Sequence, residues 1–120
     1  MKRDMDLVRK IVFAIEEHPS GWAPDLVIEG HTEQQIGHHV HLMIQAGLVE
    51  GVDDTTGDSD GPSAMATSLT WSGHEFAAAA RNDTVWNKAK VLVKDKVGGI
   101  GFGLLAEVLK QQAKHAVGLV

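Results

Sequence analysis

Thr32-Glu33-Gln34-Gln35 has the spacing of a capping box. The Thr32 hydroxyl can accept the backbone N–H three residues on, while the Gln35 side chain reaches back to the N–H of Thr32. Behind this start, Ile36, Val40, Met43 and Ile44 fall on one helical face, and Ala46-Gly47 supplies a glycine able to take the left-handed conformation that ends a helix. A helix from Thr32 to Ala46 is therefore specified at both ends. Its single apolar face obliges the rest of the chain to cover it.

The flanking segments predict what covers it. Met5, Val8, Ile11, Val12 and Ile15 repeat at helical spacing from about Asp4 to His18, with Asp4 and Asp6 suited to the first turn and Pro19-Ser20-Gly21 as the stop. Trp22 and Pro24 lead into Leu26-Val27-Ile28, which reads as one short strand, and Gly30-His31 turns the chain. Leu48 to Val52 and Met65 to Thr70 read as paired strands around the acidic, turn-rich stretch from Asp53 to Pro62, which makes a wing. Thr70 then caps a helix that continues through the Ala77 to Ala80 run.

Asn82-Asp83-Thr84 offers a further cap, for a helix from Val85 to about Lys96 with Val85, Trp86, Ala89, Leu92 and Val93 as its stripe. Gly98 to Gly103 breaks it, and a last helix runs from about Phe102 or Leu104 to Ala116, with Leu105, Val108, Leu109 and Gln112 on one side and Leu104 adjacent. Trp22, Trp71 and Trp86 are expected in the core, where large aromatics usually lie.

At 120 residues the chain is one domain, or a small domain with an appendage. It has no cysteine, which excludes disulfides, thiolate metal sites and cysteine nucleophiles. No apolar run is long enough to span a bilayer, and a cytoplasmic location is expected.

Charge is distributed unevenly. Residues 1–10 carry +2, residues 11–80 carry −11 without one lysine or arginine, and residues 81–120 carry +4. An acidic body with a basic tail can attract its own copies or a mixed-charge partner, while it repels phosphate backbones over most of its length.

The order of helix, strand and helix, then Ala46-Gly47-Leu48-Val49-Glu50, the wing, and Leu69-Thr70 followed by Gly73 resembles the winged-helix superfamily. Met1 to Arg9, Ile44 to Leu48, Leu69 to Phe76 and Asp83 to Trp86 resemble an uncharacterised domain-of-unknown-function family of bacterial and phage proteins, over nearly the whole chain. The first resemblance implies DNA binding as the fold's commonest task. The second implies a bacterial or prophage origin and a shared fold, and brings no site residues. One departure matters. DNA-reading winged helices place two helices between the first strand and the wing, and here there is room only for the one from Thr32 to Ala46.

Several constellations bear on function. The helix presents Glu33, Gln34, Gln35, His38, His39, His41 and Gln45, which could read base edges but cannot anchor a phosphate backbone. Nucleic acid would have to be held by Lys2, Arg3, Arg9 and Lys10, or by Lys88, Lys90, Lys94 and Lys96. His38 and His41 share a face and are the candidate metal pair, with His31 or a wing aspartate to complete a zinc or nickel site, but the second ligand pair of a metal motif is missing. Such a histidine cluster on an acidic body also points to a pH-sensitive surface.

Asp58-Ser59-Asp60-Gly61 echoes the middle of a calcium loop, but Thr56 and Thr67 stand where its first and last acids belong. The glycines of Gly98 to Gly103 follow a helix rather than a strand and read as a connector, not a phosphate loop. His74 and Glu75, adjacent on a helix, diverge too far to act as an acid–base pair.

The reading is an α+β, winged-helix-like domain over residues 1–80 with a C-terminal helical extension over residues 81–120 that packs on the domain or forms a homodimer. Its expected function is that of a non-enzymatic bacterial or prophage interaction module without cofactor, binding a protein or a second copy of itself. Gln34, Gln35, His38, His39, His41 and the acidic wing are the candidate contacts. The alternative is a winged-helix transcriptional regulator that binds DNA through its basic terminal helices.

Overall fold

A computed structural model describes residues 1–97 and 102–116, with side-chain environments given except at residues 94–97, 102, 104 and 112–116. The element order is α1 (Met5–Glu17), α2 (Glu33–Gln45), β1 (Val49–Asp53), β2 (Ala64–Leu69), α3 (Trp71–Ala79), α4 (Asp83–Val97) and α5 (Phe102–Ala116). The architecture is thus α+β, with five helices and a two-stranded antiparallel sheet among the described residues. By contact density the chain divides into two units, Met1–Ala77 and Ala78–Val120. No helix among the described residues is long and apolar enough to cross a membrane.

In the first unit, α1 buries Met5, Leu7, Val8, Ile11, Val12 and Ile15, a stripe set by its helical spacing. Full burial of each such side chain is worth about 1.5–3 kcal/mol. Asp4 is the residue that starts this helix: its carboxylate accepts the backbone N–H groups of Asp6 and Leu7 at 2.9 and 3.2 Å.

α2 packs against α1 and against both strands. Its capping box is complete, with Thr32 Oγ1 accepting the Gln35 N–H at 3.1 Å and Gln35 Oε1 accepting the Thr32 N–H at 2.9 Å. At the other end Gly47 has φ +76°, the Gly47 N–H donates to the Ile44 carbonyl at 3.0 Å, and the Leu48 N–H donates to the Met43 carbonyl at 2.9 Å. This paired closure needs a left-handed residue, which is why glycine stands there.

β1 and β2 pair from Val49↔Leu69 to Asp53↔Ala64, with a register shift between Glu50 and Gly51. Ala64 and Ala66 face inward, while Val52 and Met65 stand opposite each other, both more than half exposed. The exit from β2 is tied to the end of α2. Thr70 Oγ1 donates to the Gly47 carbonyl at 2.5 Å and accepts the Gly73 N–H at 3.0 Å, while the Thr70 N–H donates to the Leu48 carbonyl at 3.0 Å. A Cβ at Gly73 would collide with that same Leu48 carbonyl. The spacing from Leu69-Thr70 to Gly73 therefore records one close helix-to-strand junction.

In the second unit α4 begins with the Asn82 side chain accepting the Val85 N–H at 3.0 Å, so the helix starts two residues before the expected Val85. α4 and α5 pack on each other, and Trp86, Ala89, Val93, Leu105 and Leu109 are buried. Of the connector expected from Gly98 to Gly103, residues 98–101 lie outside the described residues, as do the side chains of Leu104 and Gln112, while Gly103 lies within α5.

Two expectations fail here. Leu26-Val27-Ile28 is not a strand: the chain just before it makes one backbone bond to the sheet, from the Ala23 N–H to the Thr67 carbonyl at 2.7 Å, and Pro24 has no N–H with which to continue the ladder. Of the three tryptophans expected in the core, only Trp86 is there. Trp22 is 70% exposed, and Trp71, at the outward start of α3, is 81% exposed.

Candidate functional site

The polar residues of α2 separate into two groups with different work. His39 is the one buried polar or charged residue among those described, 2% exposed, and both of its ring nitrogens are engaged. Its Nδ1 lies 2.7 Å from the Gln35 carbonyl, and its Nε2 lies 2.8 Å from the Asp4 backbone nitrogen. A carbonyl only accepts and a backbone N–H only donates, so these partners assign a neutral ring with its proton on Nδ1. Burial pushes the His39 pKa below the ordinary imidazole value, and the nearby His38 and His31 push it the same way, against the Gln35 hydrogen bond and the Asp4 carboxylate. His39, a candidate contact by sequence, is thus buried within the fold and engaged at both ring nitrogens.

His38, Gln34 and Gln35 brace the neighbouring backbone. His38 Nδ1 donates to the Pro62 carbonyl at 2.9 Å, and Gln34 Oε1 accepts the Asp60 N–H at 3.2 Å. Together they attach the wing loop to α2. The loop supports itself as well, in spite of its small apolar content. Thr55 and Ser63 exchange two hydrogen bonds, at 3.0 and 3.1 Å, and the Thr56 N–H donates to Ser59 Oγ at 3.0 Å.

Asp53 accepts the Thr55 N–H at 2.9 Å, and that bond, followed by the Thr55 hydroxyl, holds its carboxyl below the usual range. The wing thus carries Asp53, Asp54, Asp58 and Asp60 exposed along a backbone held by its own hydrogen bonds. His41 is half-buried on the same helix. Among the described residues no group of three or more His, Asp or Glu side chains has an arrangement that could hold a metal ion, so His38 and His41 are not brought to a third ligand.

Three segments of the first unit meet at a groove of about 630 Å³: residues 23–27, the N-terminal half of α2, and the start of β2, with Asp54 and Ser59 of the wing at its rim. Ile36, Val40, Ala64 and Ala66 give it apolar walls, while Asp25, Glu33 and Asp54 give it charge. Gly37 leaves room for Ser63, since a Cβ there would collide with the Ser63 hydroxyl.

The groove was not foreseen from sequence. Its signals were Pro24, which interrupts pairing along the sheet edge, and the alternation of small residues at Ala64 and Ala66. The burial of His39 had a signal too, because Ile36, His39, Val40 and Met43 lie at the three- and four-residue spacing of one helical stripe.

On the basic side, Lys88 is exposed, whereas Lys90 lies with its Nζ 5.5 Å from the centre of the Trp86 ring. Two residues apart on α4, these lysines point to nearly opposite sides, at about 100° per residue. The side chains of Lys94 and Lys96 lie outside the described residues. His74 does not pair with the exposed Glu75; its Nδ1 sits 3.9 Å from the Glu16 carboxylate, and it is itself well exposed.

A family model described as hypothetical protein (DUF2513) matches residues 2–99. A Haemophilus influenzae protein described as uncharacterized is 35% identical over 120 residues, covering 98% of this chain and 96% of its own. No solved structure matches.

Proposed function

Because the chain belongs to the DUF2513 family of hypothetical proteins, we propose a function from its own surface: a non-enzymatic, winged-helix-like module that binds a protein through the acidic face of α2 and the wing. The observation that carries this reading is the chemistry of that face. Residues 11–80 hold eleven carboxylates and no lysine or arginine, and Glu33, Glu50, Asp53, Asp54, Asp58 and Asp60 are all exposed on α2, β1 and the loop that follows it.

A duplex-binding surface needs cations, because affinity follows the number of phosphates neutralised. Protein recognition asks for something else, namely apolar contacts ringed by polar groups. The exposed pair Val52 and Met65, opposite each other on the hairpin, offers such an apolar contact on the wing.

The winged-helix likeness rests on element order: α1, α2, an antiparallel hairpin with a long loop, then α3. The likeness is partial, since residues 18–32 contain no helix and the first strand is absent. The absent helix is the one that sets the geometry of a helix-turn-helix, which supports a use other than groove reading.

Site-specific photo-crosslinking tests the reading. A benzophenone amino acid at Val52, in the full-length chain expressed in its host, is expected to give a discrete protein adduct that is lost when Asp53 and Asp54 are changed to asparagine. Adducts only with nucleic acid, or no adduct at all, would overturn it.

A further inference from the structure

We propose that the groove between residues 23–27 and β2 is a docking site for an extended, basic segment of the partner protein, which adds to the outer edge of β2 as a short strand. This rests on the protein-binding reading above and makes it specific. Among the described residues, the outer edge of β2 makes one backbone hydrogen bond, to Ala23 at Thr67. Toward Ala64 the edge is unpaired, because Pro24 diverts the chain and residues 25–27 do not return to the sheet.

A free strand edge offers main-chain hydrogen bonds only to another extended chain, which excludes a docked helix as the occupant. From Ala64 to Ala66 the open stretch spans about 7 Å at roughly 3.3 Å per residue. A volume of about 630 Å³ suits a few residues, and falls within the roughly 300–1,000 Å³ of sites that enclose a ligand.

Side-chain chemistry fixes the kind of segment. Ile36, Val40, Ala64 and Ala66, all buried, form the apolar floor of the groove. Val27, 88% exposed, and Met65, 57% exposed, remain in water until something covers them. Asp25, Glu33 and Asp54 surround the same opening, in a stretch of seventy residues that has no lysine or arginine of its own to neutralise them. Side chains of a strand alternate between faces. The matching sequence therefore alternates apolar residues, directed at the groove, with lysine or arginine directed at its acidic rim.

A random heptapeptide display library, selected against the full-length chain, provides the test. The expected result is convergence on peptides that alternate apolar and basic residues, whose synthetic copies shift the amide resonances of residues 23–27, 36–40 and 64–66. Neutralising the rim with Asp25→Asn, Glu33→Gln and Asp54→Asn should weaken them about tenfold, since exposed pairs contribute little singly. Methylating alternate backbone nitrogens of the peptide should abolish binding, an effect that charge attraction alone does not predict. Selected peptides that are acidic or neutral, that tolerate backbone methylation, or that map to another face overturn the strand-addition site. If, in any of these cases, Val52 still crosslinks to a protein in the host, the broader protein-binding reading survives; if both experiments fail, both proposals fall.

Discussion

The imidazole of His39 accepts the backbone N–H of Asp4 at 2.8 Å, so a buried side chain of α2 holds the residue that caps α1, thirty-five positions away. Two local devices are thereby joined. The Asp4 carboxylate satisfies the first N–H groups of α1, and His39 returns its other nitrogen to Gln35, the residue that completes the capping box of α2. This junction works only with a neutral ring, because a proton on Nε2 would face the Asp4 N–H.

Folding stability should fall as the pH drops below about 6.5. Unfolded His39 titrates near the ordinary imidazole value, while burial lowers its pKa in the fold. Above 6.5 both states are neutral and nothing is lost. Below it the unfolded chain takes up a proton that the folded chain resists, and stability declines until the lower, folded pKa is reached. Urea denaturation of the native chain and of His39→Gln across this range should show a reduced pH slope in the variant; equal slopes would contradict the assignment.

Removing the ring altogether is expected to cost more. His39→Ala leaves a cavity and an unsatisfied Asp4 N–H, together about 2–4 kcal/mol. Amide exchange at Asp6 and Leu7 should speed up along with it, since the α1 cap loses its anchor.

Gly73→Ala drives a methyl group into the Leu48 carbonyl. Backbone cannot yield as a flexible side chain does, so a loss of about 1–3 kcal/mol is expected by thermal or urea denaturation. Thr32→Ala, which opens the capping box of α2, should cost about 1 kcal/mol.

The tryptophans make the burial pattern measurable. Iodide should quench the emission of Trp22 and Trp71 readily and spare Trp86. A Trp86→Phe chain should therefore emit as though fully solvated, and a chain keeping only Trp86 should emit at shorter wavelength and resist quenching.

What was legible in sequence was local. The ends of α2 are specified by Thr32, Gln35 and Gly47, and the hairpin and its loop by alternating strands around turn residues, so each needs only its neighbours to form. The misplaced features depend on partners distant in the chain. Leu26-Val27-Ile28 has the composition of a strand but lacks the backbone bonds to become one, and Trp22 and Trp71 are apolar residues for which the core has no place. His39 looked like one member of a polar cluster, although its spacing from Ile36 and Met43 put it on the buried stripe; its role became visible only once Asp4 was brought beside it. The groove likewise exists because three segments converge on an edge that Pro24 leaves open.

On the proposed protein-binding function, the acidic face of α2 and the wing does not receive nucleic acid. The most direct test is a titration of the isotopically labelled full-length chain with random-sequence duplex DNA at low ionic strength, followed by amide NMR. The account predicts that resonances of Gln34, His38, His41 and residues 53–60 stay in place, with any weak shifts confined to the basic ends of the chain. Saturable, salt-sensitive shifts centred on α2 and the wing would contradict it.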